Sequence, residues 1–92
     1  MSSLFRLRIL TLGKEVYSGS VISLIAPGVD GYFGVLAHHT PLIAALKPGQ
    51  LSLTDERNVQ STFAVSGGFL EVSENAVVVL ADTIEPARES AL

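Results

Sequence analysis

Phe5-Arg6-Leu7-Arg8-Ile9-Leu10-Thr11-Leu12 opens with strict alternation. Phe5, Leu7 and Ile9 fall on one side of an extended chain, and Arg6 and Arg8 take the other. A period of two is the signature of a strand half buried in a sheet, so the stretch predicts a first strand over Phe5–Leu12. Gly13-Lys14 then offers a turn. Val16–Ile25 is rich in β-branched residues, with Gly19 as a bulge or close-approach point. Pro27-Gly28-Val29-Asp30-Gly31 is the strongest turn signal in the chain, because proline fixes φ at its start and two glycines accept positive φ. A short strand over Tyr32–Ala37 follows.

The rest of the chain repeats this rhythm. Thr40-Pro41 and Lys47-Pro48-Gly49 bracket Leu42–Leu46, an apolar segment too short for an independent helix. Leu51 and Leu53 alternate with Ser52 and Thr54. The polar Asp55-Glu56-Arg57-Asn58 reads as a hairpin tip, and Gln60–Val65 returns from it with Phe63 and Val65 inward. Ser66-Gly67-Gly68 is a break, Phe69–Val72 a strand, Ser73-Glu74-Asn75 a turn and Ala76–Ala81 a final strand. Only the last nine residues, 84–92, look helical, since Pro86 suits a first helical turn and Ala87–Leu92 are good helix formers. The reading is all-β: a flattened antiparallel sandwich or barrel of about ten short strands, with at most a short C-terminal helical turn. Residues 1–84 form the sandwich domain and 85–92 a short tail.

Composition narrows the function. A chain of 92 residues allows one domain. It has no cysteine, which removes disulfides, thiolate catalysis and thiolate metal sites together. The net charge is −3 and no Lys/Arg run exists, which argues against a nucleic-acid footprint. Charged residues make up 16 % of the chain, against about 25 % in an average soluble domain. A small domain has much surface to cover, so the deficit points to an exterior partly covered by a partner. Ala76–Ala81, the longest aliphatic run, falls far short of the roughly 20 residues of a membrane span. Arg6 and Arg8 interrupt what would otherwise resemble a signal peptide.

No set of residues assembles an active site. His38-His39 invites a metal, yet neighbours on a strand point to opposite faces and no third ligand stands near in sequence, so a structural or interface role is the plainer reading. Ser66 lacks the glycine-flanked elbow of a hydrolase nucleophile. Gly28, Gly31 and Gly34 do not have the spacing of a phosphate loop, and no helix N-terminus follows to hold an anion. Asp55, Glu56 and Glu74 sit at predicted turns and Glu71 just before one, where acids stay solvated. One anomaly remains. In Ala76–Ala81 both strand faces are apolar, so either the chain covers both or the outer face docks on another protein.

The series Phe5–Ile9, Tyr17-Ser18-Gly19-x-Val21, Pro27-Gly28-x-Asp30-Gly31-x-x-Gly34-Val35-Leu36, His39-Thr40-Pro41-Leu42, Lys47-Pro48-Gly49, Ser66-Gly67-Gly68-Phe69-Leu70-Glu71-Val72 and Val79-Leu80-Ala81-Asp82-Thr83 resembles the epsilon subunit of the rotary, F-type ATP synthase. The order and spacing match almost without gaps from residue 4 to residue 84. The resemblance implies a β-sandwich at the foot of the central stalk of a proton-translocating ATP synthase, peripheral on the cytoplasmic face of the bacterial inner membrane. It implies a non-catalytic subunit without cofactor or metal, which binds the gamma subunit and the membrane c-ring and so couples rotation to ATP synthesis. Asp30, Gly31 and Tyr32 are the implied c-ring contact, and Thr11, His39 and Leu42 the implied gamma contact.

Two departures stand out. The family commonly shows Leu-Pro-Gly-His before the proline step, where this chain has Leu36-Ala37-His38-His39. Most members also continue into a C-terminal helical hairpin to which ATP binding and inhibition are ascribed, whereas this sequence stops at Leu92. The chain is therefore expected to couple without braking. The competing reading is a small β-sandwich ligand-binding module, for carbohydrate as an example. Such modules present exposed aromatics, and this chain has no tryptophan and two tyrosines.

Overall fold

The computed structural model describes residues 3–87. Nine strands account for its regular structure: β1 (Phe5–Thr11), β2 (Lys14–Gly28), β3 (Gly31–Leu36), β4 (Leu42–Leu46), β5 (Gly49–Asp55), β6 (Gln60–Val65), β7 (Gly68–Ser73), β8 (Ala76–Ala81) and β9 (Ile84–Pro86). The all-β reading holds, and no helix occurs among the described residues.

β2 organises the molecule. Its first half pairs antiparallel with β1, from Thr11↔Lys14 to Phe5↔Val21. Its second half pairs with β3 on one side and β5 on the other. One layer is therefore β4-β7-β8-β1 with the start of β2, and the other is β3, the end of β2, β5, β6 and β9. Gly28↔Leu46 closes the layers onto each other. The pair β1–β8 is parallel and every other pairing is antiparallel.

Two irregularities let a 15-residue strand serve both layers. Ile9↔Tyr17 is followed by Leu10↔Glu15, leaving Val16 extra. Val21↔Asp55 is followed by Ser23↔Thr54, leaving Ile22 extra. A bulge bends its strand and increases local twist, which turns β2 from one layer into the next. Gly19 is not the bulge. It sits in register opposite Leu7 and is instead a close-approach point, since a Cβ there would lie 2.9 Å from the Tyr17 hydroxyl.

The core follows the alternation. Phe5, Leu7 and Ile9 are buried between the layers with Val21, Leu24, Leu51, Leu53, Leu70, Val77 and Val79, and Phe63 packs against them. No buried side-chain nitrogen or oxygen among the described residues lacks a hydrogen-bond partner. Two expectations change. The turn after β2 is confined to Val29-Asp30, because β2 runs on through Pro27 and Gly28 to pair with Tyr32 and Gly31. Glu85 and Pro86 are extended in β9 against Ala64 and Phe63 rather than starting a helix; proline is tolerated there because an edge strand can spare its N–H. Arg88–Leu92, the remainder of the expected helical turn, lies outside the described residues.

Candidate functional site

The outer face of the β4-β7-β8-β1 layer carries two rows of side chains set by strand register. Leu10, Leu80, Phe69 and Ala45 align across four strands, and Arg8, Val78, Glu71 and Ile43 form the next row. Phe69 is 58 % exposed, Leu80 52 % and Ile43 74 %. Leu12, in the turn just beyond β1, is 96 % exposed. Leu10, Thr11, Leu12, Phe69 and Leu80 line one shallow depression. The apolar outer face of Ala76–Ala81 is thus left open by the described part of the chain: Val77, Val79 and Ala81 point into the core while Leu80 meets solvent. The charged row is more self-contained, since Arg8 Nε donates to Glu15 Oε2 at 2.8 Å.

A second feature is the β2–β3 hairpin tip. Val29 and Asp30 are exposed, and Gly31 has φ +129°, open to glycine alone without strain. Gly28, opposite Gly31, is equally constrained, because a Cβ there would approach the Gly31 carbonyl to 2.8 Å and the Phe33 ring to 2.9 Å. Two backbone hydrogen bonds brace the tip against β4: Val29 N–H to the Ala45 carbonyl at 3.0 Å, and Lys47 N–H to the Pro27 carbonyl at 2.9 Å. Local geometry therefore holds Asp30 on a stiff support.

At the opposite end of the β4-β7-β8-β1 layer, the His38-His39 loop is tied down by Asn75. His38 adopts φ +64°, the left-handed conformation that the usual glycine would accept without cost. Its N–H donates to Asn75 Oδ1 at 2.6 Å, while Asn75 Nδ2 donates to the Leu4 carbonyl at 3.0 Å. The Arg6 N–H reaches the Asn75 carbonyl at 3.4 Å. One asparagine thus joins the start of the chain, the β3–β4 loop and the β7–β8 turn.

The residues singled out in the sequence divide accordingly. Asp30, Gly31 and Tyr32 are contiguous at the hairpin tip. Thr11 lies at the end of β1, its hydroxyl donating to the Asp82 carbonyl at 3.2 Å, beside the apolar row. Leu42 is four residues back along the sheet, in the row Leu42-Val72-Val77-Leu7. That places it about 13 Å away along the strands and about 14 Å across them from Thr11. Its side chain packs against the core, and it is the neighbouring Ile43 that faces outward. His39 shares the far end with Leu42, its Nδ1 lying 2.7 Å from the Thr40 carbonyl. Sequence reasoning missed Phe69, Leu80 and Ile43 as surface residues. The double-faced apolarity of Ala76–Ala81 was the available signal for Leu80.

Burial, and then the charge of Asp55, raise the Tyr17 phenol above its ordinary 10.0, so it stays protonated near neutrality. Among the described residues, no three His, Cys, Asp or Glu side chains are grouped to hold a metal ion.

The fold and these features define a flattened β-sandwich whose distinctive parts are an apolar row and a braced hairpin tip on its outside. Residues 4–87 match the family described as ATP synthase, Delta/Epsilon chain, beta-sandwich domain, and the chain belongs to that family. The ATP synthase epsilon chain of Protochlamydia amoebophila is 44 % identical over 86 residues, covering 94 % of this chain and 58 % of that one. That of Dichelobacter nodosus is 40 % identical over 89 residues, 97 % of this chain and 62 % of its own. This chain thus spans about three fifths of their length. The Chlorobium limicola epsilon chain is 42 % identical over 80 residues, 91 % of its own length. In fold, the chain is similar to one in the Euglena gracilis mitochondrial ATP synthase OSCP/F1/c-ring structure, with TM-score 0.88, 23 % identity, and 94 % and 55 % of the two chains covered. A chain of the Tetrahymena thermophila ATP synthase central stalk/c-ring structure has TM-score 0.73 and 18 % identity, with 87 % and 64 % covered.

Proposed function

We propose that this chain is a non-catalytic central-stalk subunit of a proton-translocating ATP synthase, which binds the gamma subunit and the c-ring and couples ring rotation to ATP synthesis. It would work peripherally on the cytoplasmic face of a bacterial inner membrane. Its family supports the complex, and the observation that carries the docking role is the open row Leu10-Leu80-Phe69-Ala45. Four aligned apolar side chains on the outside of an under-charged small domain are what a partner surface would desolvate, at about 25 cal/mol per Å² of apolar area covered.

In this reading gamma lies over that row, with Thr11 and Leu12 at its edge and Ile43 in the place first given to Leu42. His39 marks the far limit of the gamma side. The tip residues Asp30 and Gly31, with Tyr32 behind them, meet the polar loops of the c-ring. Asp30 contributes as an interfacial charge, worth little while solvated and more once desolvated.

The experiment is co-purification with gamma, followed by coupling in reconstituted vesicles. Leu80→Asp should leave the isolated chain folded, since Leu80 is half exposed, yet lose gamma. Asp30→Lys should retain gamma and lower the number of protons pumped per ATP hydrolysed. Retention of gamma by Leu80→Asp, or unchanged coupling in Asp30→Lys, refutes the respective contact.

A further inference from the structure

Among the described residues β3 is an edge strand that pairs with β2 alone, yet one of its side chains reaches across β2 to another strand. The Gln50 N–H, at the start of β5, donates to the Tyr32 hydroxyl at 3.0 Å. The β2–β5 ladder ends at Ile25↔Ser52, so this N–H lies beyond the last rung and the phenol takes it instead. Gly49 makes the room: a Cβ there would stand 2.7 Å from the Tyr32 oxygen and 2.7 Å from Pro27 Cβ. Pro27 is the cross-strand partner of Tyr32 and is fully buried. Three segments therefore meet at one point without spare space, although Tyr32 itself remains 56 % exposed.

We propose that Tyr32 is a positioning residue rather than a contact: its bond to Gln50, seated against Gly49 and Pro27, fixes the direction in which the Val29-Asp30 tip projects. The two backbone bonds from β4 hold the β2 arm of the hairpin. The phenol holds the β3 arm, which among the described residues has no strand on its outer side. Asp30 sits between the two arms, so its presentation depends on both. The consequence for coupling rests on the reading of this tip as the c-ring contact; the strut itself does not.

The test begins with Tyr32→Phe in the whole chain, which keeps the ring and removes the acceptor. Loss of one hydrogen bond of ordinary net worth should speed amide exchange at Gln50 about fivefold. NMR order parameters should fall at Val29, Asp30 and Gly31 while amides of Leu24, Leu53 and Val79 keep their protection. Gly49→Ala, whose methyl would displace the hydroxyl and also press on the buried Pro27 ring while leaving the phenol itself intact, should loosen the same three residues. In the assembled complex Tyr32→Phe should keep gamma and lower coupling. Unchanged order parameters at the tip in both variants overturn the strut. A loosened tip with unchanged coupling, in a complex where Asp30→Lys does uncouple, overturns the positioning role and leaves the contact reading standing. If Asp30→Lys itself leaves coupling intact, it is the contact reading that fails.

Discussion

Asn75→Gly is the substitution that isolates what the three-way tie contributes. Asn75 has φ +58°, and glycine keeps that conformation without strain, so the change removes the side chain and spares the turn. Two hydrogen bonds go with it, from His38 N–H and to the Leu4 carbonyl, at 2.6 and 3.0 Å. At about 1 kcal/mol net for each, the loss is about 2 kcal/mol. The greater freedom of glycine in the unfolded chain adds about 0.5–1 kcal/mol. A domain of this size loses roughly 4–8 °C of Tm per kcal/mol, which sets the expected drop at roughly 10–24 °C. Differential scanning calorimetry gives the number directly. Amide exchange should show the opening first at His38 and His39, with the β5–β6 hairpin unaffected below the melt. A drop of Tm smaller than about 4 °C, less than one ordinary hydrogen bond, would mean that the loop is held by other contacts and that Asn75 does not organise this end.

Gly68→Ala should prevent folding or cost more than about 4 kcal/mol, because its Cβ would collide with the Leu80 carbonyl at a φ of +135°; a soluble variant with near-native Tm refutes this. Tyr17 gives an alkaline signature. Its folded pKa is raised above 10.0, so its contribution is fully present below pH 10 and declines as pH climbs through the folded value. Urea titrations from pH 8 upward should show that decline in the natural chain and a flatter curve for Tyr17→Phe, and parallel curves would remove the assignment.

Much of this fold was legible because its strands announce themselves by alternation and its turns by chemistry. Phe5-Leu7-Ile9 read as an inward trio and is one; Asp55–Asn58 read as a tip, and the Asp55 carboxylate indeed caps the Arg57 and Val59 N–H groups at 2.9 Å. The errors fall where a local signal had a distant competitor. Pro27 and Gly28 carry turn chemistry, but pairing with β3 and with Leu46 keeps them extended. Leu42–Leu46 is apolar on both faces, so periodicity cannot say whether Leu42 or Ile43 is outside. The surface rows were less legible still. Leu10 meets Leu80 across 70 residues, a juxtaposition that register alone creates, and the Tyr32–Gln50 link joins two separate hairpins.

The passage of β2 through both layers has a mechanical corollary. A lengthwise pull on the Val29-Asp30 tip does not have to cross from one layer to the other through side-chain packing, because it travels along a covalent backbone. The pull runs largely parallel to β2, so the ladders with β1, β3 and β5 are sheared, and their rungs resist together instead of being unzipped in turn. A domain wired in this manner should yield little when dragged by its tip, and should come apart far more readily when β9 is peeled from its edge.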